Sequence, residues 1–265
     1  MMTRLDIPAL VLKNQDLGEG IFLLAVCAPH IASIAQPGQF CMLNAGSPGT
    51  TDPLLRRPLS IHDADGETVL FLYRVVGKGT RLLAAKRPGE EIQILGPLGH
   101  GFAGDNERKS LLVGGGLGMA PLLFLAKRRA KERTIIMLGA RTSGELVCAD
   151  AYRPHADELI ISTEDGGLGR PGLVTAPLAE RIESAARDAS ALQVLACGPW
   201  PMAKAVAHLC QRHEIACQVS LEARMACGTG LCLGCAVPRS GGGYLHVCTD
   251  GPVIDAALVD WERTP

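Results

Sequence analysis

Gly114-Gly-Gly-Leu-Gly-Met-Ala-Pro121 follows the short apolar run Leu111–Val113 and leads into Pro121–Lys131, whose apolar spacing predicts a helix. A glycine-rich turn between a buried strand and a helix is the repeating joint of a parallel, doubly wound sheet. Glycines let a pyrophosphate approach the backbone. The helix start offers free N–H groups and a positive dipole end, and Pro121 suits a first helical turn. The run departs from G-x-G-x-x-G because Met119 stands where the third glycine belongs. On these residues alone a tight strand-to-helix turn without a ligand is the competing reading.

Toward the C-terminus the alternation continues, with strands over Thr134–Leu138, Leu159–Ser162 and Gln193–Ala196 and helices over Leu178–Ala189 and Pro201–His213. Strands alternating with helices predict a Rossmann-like α/β nucleotide domain over residues 101–224. Cys197-Gly-Pro-Trp-Pro-Met202 again stands between a strand and a helix, at the edge where open α/β sheets bind ligands. An isolated cysteine is also commonly a small buried hydrophobe. Cys27, Cys41, Cys148, Cys210 and Cys217 have no motif around them and are assigned to packing.

Toward the N-terminus the period changes. Short apolar stretches (Ala9–Leu12, Ile21–Val26, Phe40–Leu43, Val69–Val76, Glu91–Leu95) between Gly, Pro and Asp clusters predict an antiparallel β-barrel over residues 1–100. Gln36-Pro-Gly-Gln39 reads as a turn, and Gly96-Pro-Leu-Gly99 with Gly104-Asp-Asn-Glu-Arg-Lys109 as the domain junction. Two stretches carry chemistry: Arg57-Pro58-Leu59-Ser60, and Tyr73-Arg74-Val75 followed by Gly77-Lys-Gly79-Thr80. Together they supply two guanidinium groups, an aromatic plane, hydroxyls and a glycine-rich loop, the parts needed to hold a flat ring and a diphosphate. Solvated surface arginines are the plainer reading.

The last segment, residues 225–265, is set by Cys227-Gly-Thr-Gly-Leu-Cys232-Leu-Gly-Cys235 and Cys248, spaced C-x4-C-x2-C-x12-C. The first two intervals match the plant-type [2Fe–2S] pattern. Gly228, Gly230 and Gly234 suit a loop whose N–H groups must turn toward sulfur. A four-thiolate zinc site and a pair of disulfides compete. Zinc ribbons, however, usually pair two short knuckles, whereas three of these cysteines share one loop.

Composition narrows the classes. With 47% hydrophobic and 20% charged residues the 265-residue chain is globular, and a net charge of −1 gives no reason to expect nucleic acid or an anionic membrane as partner. The longest apolar runs are too short for a membrane span. Met1-Met-Thr-Arg-Leu-Asp-Ile-Pro lacks the apolar core of a signal peptide, so ten cysteines are read in a reducing cytoplasm. The fold class expected is α+β and multidomain: β-barrel, nucleotide domain, and small C-terminal cluster lobe.

A nicotinamide exchanges electrons in pairs and an iron–sulfur cluster singly. A chain holding both needs a carrier that accepts two electrons and releases them singly, as flavins do. The order of Arg57-Pro-Leu-Ser60, Tyr73-Arg-Val, Gly77–Thr80, Gly114–Pro121, Cys197-Gly-Pro199 and the cysteine loop resembles the ferredoxin-reductase superfamily. More narrowly, Glu222-Ala-Arg-Met-Ala-Cys227 through Cys235, with Cys248-Thr-Asp-Gly-Pro252, resembles the electron-transfer subunits of class 1B, NAD-dependent dihydroorotate dehydrogenase. The resemblance implies that Arg57, Pro58, Leu59, Ser60, Tyr73, Arg74, Val75, Gly79 and Thr80 bind FAD. It places NAD on Gly114, Gly115, Gly116 and Gly118, and Cys197 and Glu222 near the flavin and nicotinamide. It also implies that Cys227, Cys232, Cys235 and Cys248 hold [2Fe–2S]. Arg141 fits either a bare ribose or a 2′-phosphate, so NADP stays open beside NAD. The implied partner is an FMN-containing dihydroorotate dehydrogenase catalytic subunit, two of each chain forming a heterotetramer in pyrimidine biosynthesis. Alternatives are the reductase subunit of a sulfide dehydrogenase or NADPH:ferredoxin transhydrogenase, and a zinc-stabilised binding module.

Overall fold

The computed structural model describes residues 5–46, 51–103, 107–184 and 191–264. The expectations touching residues 1–4, 104–106 of the junction and 185–190 of the predicted Leu178–Ala189 helix lie outside the described residues in those parts.

The N-terminal domain is a seven-stranded antiparallel sheet: β1 (Leu5–Gly18), β2 (Ile21–Cys27), β3 (Phe40–Leu43), β4 (Arg57–Ser60), β5 (Asp63–Asp65), β6 (Thr68–Arg74) and β7 (Glu91–Leu98), in the order β4-β3-β7-β1-β2-β6-β5. It curls into a half-barrel that brings β4 against β6. Leu24, Val26, Leu43, Val69, Phe71, Ile92 and Ile94 fill its interior. Each such side chain contributes about 1.5–3 kcal/mol by leaving water. Helices α1 (Pro29–Ile34) and α2 (Lys78–Ala84) complete the domain. Gly96, Pro97 and Leu98, expected at the junction, are strand residues of β7 instead. Gly96 pairs with Leu5, and a Cβ there would run into Cys41, so the glycine serves packing and not chain reversal.

The second domain runs β8 (Lys109–Gly115), α3 (Ala120–Lys127), β9 (Thr134–Ala140), β10 (Glu158–Thr163), β11 (Arg170–Pro171), α4 (Thr175–Ser184), β12 (Leu192–Cys197), α5 (Trp200–Arg212) and β13 (Ala216–Ser220). Its sheet, ordered β11-β10-β9-β8-β12-β13, is parallel throughout. Strands such as Leu111-Leu-Val113 and Ile135-Ile-Met137 are buried on both faces, which is why they read as unbroken apolar runs. From β8 the chain winds out to β11, then returns to β12 on the other side. That reversal is the topological switch point, and it sets the loops after β8 and β12 side by side.

The cysteine segment adds a hairpin, β14 (Ala236–Pro238) with β15 (Tyr244–His246), whose tip is Arg239-Ser-Gly-Gly-Gly243. The chain then returns: β16 (Val253–Asp255) pairs antiparallel with β13, so the end of the 225–265 lobe is a strand of the nucleotide sheet. Trp261 seals it, its ring 4.8 Å from that of Trp200 and its Nε1 donating to the Ala256 carbonyl at 2.8 Å. Three lobes meet at the Gln36–Gln39 turn. Gly38 has φ +94°, and a Cβ there would stand 2.7 Å from Val253 and 2.8 Å from Phe102. Among the described residues no helix is long and apolar enough to cross a membrane.

Candidate functional site

The loops after β8 and β12 touch backbone to backbone. A Cβ on Gly118 would overlap the Cys197 carbonyl and Gly198, and one on Gly115 would strike Met202. Beside them opens a cleft of about 580 Å³, lined by Gly115, Gly116 and Gly118, by Arg74 from the barrel, by Arg141 and Glu145, and by Glu222. Gly114 lies beneath, packed against Leu122 and Leu138.

Charge in the cleft is organised around Glu145. Its Oε1 accepts from Arg74 Nη1 at 3.1 Å and from Arg141 Nη2 at 2.6 Å, joining barrel and nucleotide domain. Arg141 first, and Arg74 after it, hold the Glu145 carboxyl below its usual range against the opposing pull of burial. Arg74 keeps a buried Nε with no partner among the described residues. Such an orphan donor fits an anionic ligand against the barrel wall. Glu222 is open to the cleft, yet the surrounding walls desolvate it and raise its pKa. Cys197 is buried. Burial pushes its thiol up to about 12, with Glu222 adding and Ser220 opposing, so it is a neutral thiol beneath the glycine loop.

A second groove, about 560 Å³, is lined by residues 53–58 and 223–225. Residues 222–225 therefore form one wall between two cavities, with Glu222 on the cleft and Ala223, Arg224 and Met225 on the groove. Arg57 and Pro58 line the groove, and the Arg57 guanidinium lies so close over Gly79 that a Cβ there would collide with it. Thus Arg57, Pro58, Gly79, Arg74, Gly115, Gly116, Gly118 and Glu222 are gathered around the two cavities. Tyr73 is not. Its ring stacks on Phe22 inside the barrel at 5.8 Å, its hydroxyl donates to Asn14 Oδ1 at 3.3 Å, and burial pushes it up to about 12. Period-two alternation sends Tyr73 inward and leaves its neighbour Arg74 for the cleft. Leu59 and Val75 pack against the barrel core, and Ser60 pairs with Phe40. Thr80 Oγ1 accepts from the N–H groups of Val76 and Gly77 at 2.9 and 3.1 Å, closing the turn into α2.

The cysteine loop is wound as a thiolate cluster requires. Gly228 and Gly230 have φ of +69° and +90°, and Leu233 also adopts a positive φ of +58°. Cys227 Sγ accepts from the N–H groups of Thr229 and Cys232, and Cys235 Sγ from that of Cys248, each at 3.4 Å. Burial would raise the Cys227 thiol, but these donors win and push it down to about 6. Among the described residues no three ligand-type side chains close on one point. The contacts instead join Cys227 with Cys232 and Cys235 with Cys248. That division fits two irons better than one tetrahedral zinc ion. Gly228 packs on Met42 of β3 and Leu98 of β7, seating the loop on the barrel. Of the other cysteines, Cys41, Cys210 and Cys217 are buried as expected, whereas Cys27 and Cys148 are only half-buried.

Glu145 was not anticipated. Its spacing of four from Arg141 was a readable signal, but Arg74 lies 71 residues away and only folding brings it in.

Comparison with known proteins agrees with this geometry. Residues 222–260 match the iron–sulfur cluster binding domain of dihydroorotate dehydrogenase B, and residues 112–208 an oxidoreductase NAD-binding domain. The electron transfer subunit of dihydroorotate dehydrogenase B (NAD(+)) from Caldanaerobacter subterraneus subsp. tengcongensis is 40% identical over 97% of this chain and 99% of its own length. The corresponding subunit of Desulforamulus reducens is 37% identical over 96% and 98%. A solved structure of an NADH-dependent reduced ferredoxin-NADP oxidoreductase, described in terms of flavin-based electron bifurcation, superposes with a TM-score of 0.81 at 30% identity, covering 96% of this chain and 90% of that one. A ferredoxin reductase half-barrel, a nucleotide domain and a terminal iron–sulfur domain in that order place the chain in the family of electron transfer subunits of NAD-dependent dihydroorotate dehydrogenase B.

Proposed function

We propose that this chain carries electrons from an FMN-containing catalytic subunit that oxidises dihydroorotate, by way of [2Fe–2S] and FAD, to NAD+, working in the cytoplasm as two copies of each chain. The observation that carries the reading is the segment 222–225. It walls the nucleotide cleft on one side and the barrel groove on the other, and two residues later it becomes the cysteine loop. Three sites therefore share one short stretch of backbone. When bound, the flavin supplies a carrier that exchanges electron pairs with a nicotinamide and single electrons with a cluster.

The chain's own residues position and insulate. Arg57 and Pro58 bound the groove for the flavin, and Arg74, on the cleft side of the 222–225 wall, offers its unpartnered Nε to an anionic part of FAD. Gly115, Gly116 and Gly118 leave backbone bare for the NAD pyrophosphate. The Cys197 thiol stays protonated beneath the glycine loop, so it supports Gly118 from below without acting as a nucleophile. Cys227, Cys232, Cys235 and Cys248 hold the cluster, with backbone N–H groups stabilising thiolate charge.

The kinship to the bifurcating oxidoreductase supports a second reading, in which the same relay serves a different flavoprotein. Isolation of the native complex decides between them. A companion that is an FMN-bearing (β/α)8 barrel, with reduction of NAD+ by dihydroorotate, is the expected result. An iron–sulfur flavoprotein companion without that activity overturns the first reading.

A further inference from the structure

The glycine loop explains how a dinucleotide is held but not how its ribose is told apart. Beyond the loop, at the carboxyl ends of β9 and β10, the cleft carries an unusual charge pattern. Arg141 follows β9, and its side chain is 71% exposed, yet Glu145 engages it at 2.6 Å through the side chain and at 3.3 Å through the backbone N–H. Glu164, the residue after β10, lines the same cleft. Its N–H donates to the Ala140 carbonyl at 3.0 Å and that of Asp165 to the Arg141 carbonyl at 3.2 Å, so the two strand ends are fixed side by side. Glu145 first, and Glu164 in addition, raise the Arg141 pKa. Arg74 is tied to Glu145 as well. On β11, next to this rim, Arg170 is gripped through both terminal nitrogens by Glu180, at 2.8 and 2.7 Å. No lysine lines the cleft among the described residues.

Two carboxylates thus stand at the rim, and Arg141, Arg74 and Arg170 each place at least one terminal nitrogen on a carboxylate, the unpartnered Nε of Arg74 being on the barrel side. A bare ribose hydroxyl donates to such a carboxylate, whereas a 2′-phosphate is accommodated by an available arginine. A phosphate arriving here would have to share the Arg141 guanidinium, whose charge Glu145 already offsets, while facing Glu164.

We propose that Glu145 and Glu164, bracketing Arg141, are the residues by which this chain selects NAD(H) over NADP(H). The proposal rests on the nucleotide-site reading above. Glu145 acts by occupying the guanidinium, and Glu164 by its own charge at the strand end. The two effects are separable because Glu164 takes no part in the Arg74 contact that ties the domains together.

The test uses the assembled, FAD-loaded complex, with anaerobic flavin reduction followed against NADH and NADPH concentration. Wild type should favour NADH. Glu164→Gln should lower the NADH-to-NADPH ratio of second-order rate constants about tenfold, as removal of one nearby charge in a partly solvated cleft warrants. Glu145→Gln should act in the same direction, and Glu164→Gln combined with Arg141→Gln should lose the gain. Raising ionic strength should narrow the wild-type ratio and affect the doubly substituted Glu145→Gln/Glu164→Gln protein less. A ratio unchanged within about twofold in both single variants, with FAD retained, overturns the proposal, as does a wild type that prefers NADPH. Wild-type flavin that neither nucleotide reduces refutes the nucleotide-site reading itself, and the proposal falls with it.

Discussion

The loop after β8 and the loop that begins at Cys227 are both dense in glycine, but for different physical reasons. In the first, Gly115 and Gly118 have ordinary backbone angles and are crowded instead: the backbone of Cys197 and Gly198 fills the place of a side chain on Gly118, and Met202 of α5 that of one on Gly115. In the second, Gly228 and Gly230 have positive φ, which turns N–H groups inward onto sulfur. Gly115 and Gly118 of the first loop serve space, whereas Gly228 and Gly230 of the second serve direction. Space brings backbone close to a large ligand whose own groups make the specific contacts. Direction builds a cage whose donors must all point at a few atoms. The comparison predicts that damage in one loop stays local to its own cofactor.

Cys232→Ser gives the largest effect. Cys232 is the exposed member of the four, so its loss should leave the lobe folded while the visible cluster absorption disappears. FAD content and NADH reduction of the flavin should survive, and delivery to or from the partner should fall by about a hundredfold or more, because one thiolate of four is missing. Unchanged absorption and unchanged partner turnover would show that Cys232 is not a ligand. Gly118→Ala comes next and inverts the pattern. Its Cβ meets backbone, which cannot swing aside, so we expect a loss of about 3 kcal/mol in urea unfolding. NADH reduction of the flavin should suffer with the cluster spectrum intact.

How much of this was written in the chain differs by region for physical reasons. The nucleotide sheet was legible because its strands are buried on both faces, and Leu111–Val113, Thr134–Leu138 and Gln193–Ala196 all lie inside observed strands. Strand β4 was missed because Pro58 interrupts it. It tolerates that proline as the edge of the sheet, where one ladder is absent. The polar second half of β1, mostly outward-facing, has only Leu17 as an apolar residue beyond Leu12, too little to show a strand period. Strand β16, three residues long and next to Pro252, had too little length to be read as a strand, and its pairing with β13 is a long-range fact. The cysteine set was legible as a motif, since covalent chemistry dictates its spacing. The division into two pairs and the shared wall at 222–225 were not, because they depend on contacts between distant segments. Glu145 and Glu164 escaped for the same reason.

The carboxylates sharpen the comparison at smaller amplitude. Glu145 is paired and its pKa is depressed below the ordinary 4.5, so its contribution is present at neutral pH and lost as pH falls through the folded value. Glu145→Gln should cost about 2 kcal/mol at pH 7, less than a fully buried pair because the site opens onto the cleft. The gap to wild type in unfolding free energy should close below about pH 4. Glu222 has a raised pKa, so the sign reverses: its favourable contribution belongs to low pH and disappears as pH rises through the folded value. Glu222→Gln should therefore flatten the loss of stability on the neutral side. A Glu145→Gln gap that widens in acid would contradict the ion-pair account.

The smallest effect is the most discriminating. Gly116 sits between two glycines that need space, but it has none of their crowding: nothing lies within 4 Å of where its Cβ would be, and its φ is +54°. Alanine there should cost only the left-handed backbone penalty, about 1 kcal/mol. Asparagine, which tolerates that region, should cost less. Since Gly116 lines the cleft, the added methyl group should also weaken NADH reduction of the flavin while leaving FAD content and cluster absorption unaltered. If Gly116→Ala proves as destabilising as Gly118→Ala, the division into glycines of space and glycines of direction fails within the first loop. Equal tolerance of alanine and asparagine at 116 would show that backbone angle is not what selects glycine there, leaving close approach of the dinucleotide as its reason.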